Sequence, residues 1–163
     1  MSTRRKFLAF ALTGTAALLV GSVPRALAQS GAIANAEIMI MHATQVPGAG
    51  SIDPKIGSMP QLQKPPFSAY NKYTLVDKRS LRLVQSAPAT YEMANGRTLQ
   101  VTLLDVTSDK RFHVNAAINK PNQDGGAAFL KLLEVTAAPN EPFFVGGQIY
   151  KGGTLVIGVT IKP

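Results

Sequence analysis

Two histidines, five methionines and nine carboxylates carry what reactive chemistry this chain has, and cysteine is absent. Met39, Met41 and His42 fall within four residues, with His113 far along the chain, a donor set of the kind that holds copper without thiolate. In a regular strand, however, Met39 and Met41 share one face and His42 points to the other. A Met/His metal carrier therefore needs a bulge between Met41 and His42, whereas methionine as core filler needs nothing further. Asn119, Asn122 and Asp124 precede Gly125 like part of a calcium loop. Lys120 and Lys131 occupy the positions where that loop needs acidic ligands, so a turn-rich loop is expected instead. No metal and no cofactor is expected.

Catalytic patterns are equally thin. There is no Gly-x-Ser-x-Gly elbow, and Asp77, Glu92, Asp105 and Glu134 have no spacing that singles out an acid–base pair. Gly146-Gly147 and Gly152-Gly153 lack the Lys-Ser/Thr and the helix of a phosphate loop, and read as turn glycines with positive φ. The absence of cysteine excludes disulfides, thiolate catalysis, iron–sulfur clusters, blue-copper sites and c-type haem attachment.

Two stretches are candidates for binding. In Lys64-Pro65-Pro66-Phe67-Ser68-Ala69-Tyr70 the prolines favour an extended chain that presents Phe67 and Tyr70. A lone Phe after a loop is more often core, so Phe67 is expected to plug one end of the fold, with presentation to a partner as the alternative. The second candidate is basic: Lys78, Arg79, Arg82 and Arg97, with Lys110-Arg111 at another hairpin end. These either face solvent singly or gather to meet an anionic envelope polymer, a lipid headgroup or an acidic protein.

The elements that must position these residues are strands. Glu37–Ala43 is apolar on both faces and so central. A Pro/Gly-rich segment, 45–68, follows, with one helical turn at Asp53-Pro54-Lys55-Ile56 capped by Asp53. Lys72–Val76 and Ser80–Gln85 read as two strands joined at Asp77-Lys78-Arg79. Tyr91–Ala94 and Arg97–Val106 flank Asn95-Gly96, the preferred pair for a two-residue type I′ turn. Past Ser108-Asp109, residues Phe112, Val114, Ala116 and Ile118 share one face, and Arg111, His113 and Asn115 the other. Ala128–Val135, Phe143–Val145 and Thr154–Ile161 complete about eight strands. The expected fold is all-β: one antiparallel sandwich or partly closed barrel.

The first 28 residues have the layout of a cleavable export signal that precedes this domain as a helix. Arg4, Arg5 and Lys6 are followed by 18 uncharged residues up to Arg25, fewer than the roughly 20 apolar residues of a membrane-spanning helix. Ala26-Leu27-Ala28 supplies the cleavage site, with Ala26 and Ala28 as its small residues, and 29–163 is then the mature domain. Thr3-Arg4-Arg5-Lys6-Phe7-Leu8 resembles the twin-arginine pattern, carried by Arg4, Arg5, Phe7 and Leu8, with Ala9 where that pattern has Lys. Four of the 17 basic residues lie in the signal, leaving thirteen against nine acids and a net charge of +4, so the high pI is no argument for nucleic acid.

His42-Ala43, Ile52-Asp53-Pro54, Pro66-Phe67-Ser68, Asn95-Gly96-Arg97, Gly146-Gly147 and Tyr150-Lys151-Gly152-Gly153 together resemble a group of small exported bacterial β-domain proteins. That resemblance implies the domain boundaries and brings no catalytic residue. The expected protein is a periplasmic or secreted, non-enzymatic binding or accessory module of the cell envelope. Its expected partners are the twin-arginine export machinery and an envelope protein or polymer, with no nucleic acid and no membrane span after cleavage. The competing expectation is an exported enzyme whose site joins the 45–68 segment to one sandwich face.

Overall fold

A computed structural model describes Gly31, residues 33–119 and residues 128–163. The expected export signal and cleavage site, and the pair Asn122/Asp124, lie outside the described residues. Among the described residues nine strands form two sheets: β1 (Ile33–Thr44), β2 (Ser51–Ile52), β3 (Lys72–Val84), β4 (Pro88–Glu92), β5 (Thr98–Val106), β6 (Phe112–Asn119), β7 (Phe129–Ala137), β8 (Pro142–Tyr150) and β9 (Gly153–Lys162). The five-stranded sheet runs β2-β3-β1-β9-β8 and the four-stranded sheet β4-β5-β6-β7. All pairings are antiparallel except β2 with β3. The chain passes between sheets twice, after β3 and after β7, so the fold is the expected all-β sandwich.

Alternation decides what faces what. Ile38 and Ile40 of β1 meet Leu155, Ile157 and Val159 of β9, and Leu99, Val101, Leu103, Val114 and Ile118 of the opposite sheet, in one buried cluster. The other face of β1 is apolar too, and the reason is a second core. Met39, Met41 and Ala43, with Tyr73 and Val156, are roofed by Ile56 and Leu62 of the Pro/Gly-rich segment, with Met59, Phe67 and Tyr70 packed around them. That segment folds as three short 3-10 turns, Pro54–Ile56, Pro60–Gln63 and Phe67–Ala69. Asp53 caps the first as expected, accepting from the Lys55 amide at 2.9 Å. Asn71 ties the segment's start down, receiving the Val46 amide at 2.9 Å and donating to the Val46 and Gly48 carbonyls. Each buried Leu or Ile of this roof removes apolar surface worth about 2 kcal/mol from water.

Three local expectations are corrected. Lys72–Val76 and Ser80–Gln85 are one strand, β3, with Val76 as a bulge where Ile40 pairs Asp77 and Met41 pairs Leu75. The polar triplet inside it needs no turn, because Lys78 pairs with Glu37 at 2.7 Å and Arg79 with Asp77 at 3.1 Å. Asn95-Gly96 does not form a two-residue turn. Met93 donates to the Arg97 carbonyl at 2.8 Å and Gly96 to the Met93 carbonyl at 2.9 Å, closing a three-residue loop with only Gly96 at positive φ. The type I′ turn is at Lys151-Gly152, both at positive φ between the paired Tyr150 and Gly153. Phe67 plugs no end of the sandwich: it lies in the second core, edge-on to Phe144 at 5.7 Å between ring centroids.

Candidate functional site

The roof meets the sandwich along a groove of about 530 Å³. Pro66, Phe67, Ala69 and Tyr70 line it from the roof, Phe144 to Gly147 from β8, Thr154 and Val156 from β9, and Leu132 and Leu133 from β7. This is the volume of an ordinary small-ligand or side-chain pocket. Its polar groups are spent on the wall itself. The Tyr70 hydroxyl bonds Thr154 Oγ1 at 3.0 Å, and the Tyr73 hydroxyl donates to the Phe67 carbonyl at 2.7 Å. Burial, with Tyr70 nearby, pushes the Tyr73 phenol up to about 12, so it stays a donor at any physiological pH.

Gly146 and Gly147 together oppose Val156, a bulge in β8 that turns its backbone toward the groove. Gly147 has φ +107, which requires glycine, and a Cβ on Gly146 would stand 3.3 Å from the Phe67 ring. The sequence-level candidates Pro66, Phe67 and Tyr70 thus line one groove, and Lys64 lies exposed two residues before it.

The basic candidates go elsewhere. Lys78 and Arg82, opposite Met39 and Asn35, stand on the outer face of the five-stranded sheet beyond the roof. There Glu37 holds both Lys78 and Lys162 at 2.7 Å, and these ammonium groups keep its carboxyl below the usual range. Arg79 faces the opposite way, into the seam between β3 and β4. Arg97 at the β4–β5 loop donates through Nε to the Asn119 carbonyl at 2.8 Å, and through Nη2 to the same oxygen. None of these four lines the groove.

Two polar clusters escaped the sequence. Across the β3–β4 seam the Tyr91 hydroxyl donates to Asp77 Oδ2 at 2.5 Å, linking the two sheets. Burial and this bond raise the Tyr91 phenol to about 12, and the same bond lowers the Asp77 carboxyl. On the outer face of the four-stranded sheet, His113 Nδ1 lies 2.9 Å from Asp105 and Nε2 3.0 Å from Glu134, which also pairs with Lys131. The Asp105–His113 contact was readable in outline, since these residues flank the β5–β6 turn and are paired partners. Nothing in the spacing pointed to Glu134.

With a carboxylate at each nitrogen, only the doubly protonated ring satisfies both contacts, so His113 has no lone pair left to act as a base. Asp105 first, then Glu134, raises its pKa above the ordinary 6.5, while Lys131 and then His113 lower that of Glu134 below 4.5. The His113 contribution to stability is complete below its unfolded pKa and lost as pH rises through the higher folded value; that of Glu134 is present above 4.5 and lost as pH falls through its lower folded value. His113→Asn should therefore lower the melting temperature more at pH 6 than at pH 9. An NMR titration of His113 should give a midpoint above 6.5, and a midpoint at or below that value would refute the assignment.

Met41 and His42 point apart, as the pleat requires: Met41 is in the second core, while His42 meets Tyr150 of the first edge-on at 5.4 Å. No group of three His, Asp or Glu side chains placed to hold a metal ion occurs among the described residues. Comparison of the chain with protein-family models, curated proteins and solved structures finds no match.

Proposed function

We propose that this protein is an exported, non-enzymatic binding and accessory module of the bacterial cell envelope, which takes an extended apolar segment of a polypeptide into the groove between its roof and β8. The observation that carries this reading is that the groove is lined by β8, the last strand of its sheet, whose outer edge has no partner strand among the described residues. Such an edge offers main-chain donors and acceptors, and the groove offers an apolar seat for a side chain, the two elements of recognition by strand addition. The twin-arginine-type signal supports delivery across the membrane, and no helix among the described residues is long and apolar enough to cross one. The competing enzyme reading has less to stand on. Among the described residues, the groove has Tyr70 as its titratable lining side chain, and a smaller hollow lined by the 45–68 segment has Asp53.

The test is a photo-crosslink in cells. The photoreactive residue p-benzoylphenylalanine at position Ile149, which is 86% exposed beside the groove, should give a discrete protein adduct after illumination, and the same residue at Thr90 on the four-stranded sheet should give none. Changing Arg4-Arg5 to Lys-Lys should block export and abolish the adduct. An exported protein that forms no adduct from Ile149 would rule the reading out.

A further inference from the structure

We infer that the segment received at the groove is the β8 strand of a second copy of this chain, so that the two five-stranded sheets join through antiparallel β8–β8 pairing. This rests on the strand-addition reading above and names its partner.

The other edges are protected and this one is not. β2 has two residues and covers β3 only at Lys72 and Tyr73, but β3 beyond them carries Asp77, Lys78, Arg79 and Arg82; β4 begins with Pro88 and carries Glu92, and β7 carries Lys131 and Glu134. β8 has nine residues, Pro-Phe-Phe-Val-Gly-Gly-Gln-Ile-Tyr, and no charge. Charge, proline and brevity are how edge strands avoid association, and β8 has only Pro142 and its bulge.

Its backbone is also poised correctly. The Lys151-Gly152 turn makes Tyr150 and Gly153 the hydrogen-bonded pair that closes the hairpin. Alternation then points the N–H and C=O of Ile149 away from β9. The same alternation along β9 turns those of Phe144, opposite Gly158, outward as well.

One register satisfies side chains, backbone and charge together. Phe144 and Ile149 share the outer face, and residues opposite one another in an antiparallel pair share a face. Setting Ile149 of one copy across from Phe144 of the other carries its side chain to the groove that Phe144 lines. The twofold axis then falls between Gly146 and Gly147, where no side chain hinders the approach of a second backbone. Lys151 comes opposite Pro142, one residue from Glu141. β8 is thus an uncharged strand with an acid before its start and a base after its end, so antiparallel pairing brings the opposite charges together twice. Among the described residues neither Glu141 nor Lys151 has an ion-pair partner within its own chain. Knob and seat lie on the same strand, as an isologous interface requires.

Sedimentation of the exported protein over a concentration series reaching about 200 μM should show a monomer–dimer equilibrium. Ile149→Lys, at an exposed site that leaves the fold intact, should raise the dimer Kd about tenfold or more, against no change for Thr90→Lys. Glu141→Lys and Lys151→Glu should each raise it about threefold, and the double exchange should bring it back to within about twofold of the original. A monomer throughout the series, or a dimer indifferent to Ile149→Lys, overturns the inference. If Ile149 crosslinks in cells to a different protein while the purified chain stays monomeric, strand addition stands and self-pairing fails.

Discussion

Leu62→Ala is expected to lower the unfolding free energy by about 3 kcal/mol, as much as a substitution in the centre of the sandwich. Leu62 is 1% exposed although it sits in a four-residue 3-10 turn within a segment whose composition is that of a surface loop. Its side chain fills the space above Met39, Met41 and Val156, and the roof has few ways to collapse into the vacancy. Pro60 stiffens the turn, Asn71 holds the start of the segment, and Asp53 within it accepts from the Leu75 amide of β3 at 3.3 Å. The result should be a shift in urea midpoint without a change in slope, because roof and sandwich share β1 and unfold together. Since Phe67 and Tyr70 hang from the same roof, crosslinking from Ile149 should weaken as well. A loss below about 0.5 kcal/mol would show that the roof is an ornament on an independently stable sandwich.

How much of this was legible follows from the range of each signal. Alternation within a strand is local, so the inner faces of β5, β6 and β9 could be read directly from Leu99-Val101-Leu103, Phe112-Val114-Ala116-Ile118 and the β-branched run after Thr154. The double-sided apolarity of β1 correctly indicated a central strand, but it could not say that loop residues rather than a third sheet cover its second face. That depends on Ile56 and Leu62, two apolar residues among prolines and glycines with no periodicity to give them away. The turn at Asn95-Gly96 misled for a related reason. The dipeptide fits both a two-residue I′ turn and the last two positions of a three-residue loop, and the choice is made by the register of β4 against β5, which Pro88 and Tyr91 set from outside the turn.

The site divides in the same way. Pro66, Phe67 and Tyr70 were identifiable as an unusual cluster, but the wall they face comes from β7, β8 and β9, more than sixty residues away. The basic residues Lys78 and Arg79, adjacent in sequence, read either as single solvated charges or as one surface, and a strand sends neighbours to opposite faces. Once the stretch around Asp77 is known to be strand, Lys78 belongs with Glu37 and Arg79 with the Tyr91 seam, and the patch ceases to be one patch. The carboxylates that hold His113 show the limit most plainly: Asp105 lies across a short hairpin and could be found by counting, whereas Glu134 requires the pairing of β6 with β7, whose register counting along the chain does not give.

Gly50→Ala should be costly for a reason that backbone dihedrals do not reveal. Gly48 has φ +81 and open space around it, so alanine there meets only the left-handed penalty of about 1 kcal/mol. Gly50 has no positive φ, yet a Cβ on it would stand 1.8 Å from the carbonyl oxygen of Asn71 and 2.6 Å from the Asn71 Cβ. Backbone would have to move on one side or the other, and Asn71 is the residue that ties Val46 and Gly48 to the start of β3. The displacement would pass to Asp53, whose amide bonds the Tyr73 carbonyl at 2.9 Å, and so to the roof's first turn. The expected loss is about 3 kcal/mol, with Gly48→Ala costing less in the same urea titration. The opposite order would mean that the segment follows its own turn preferences. The expected order would mean that the close crossing of two backbones at Gly50 and Asn71 sets where the roof begins, and with it the position of Phe67 and Tyr70 over β8.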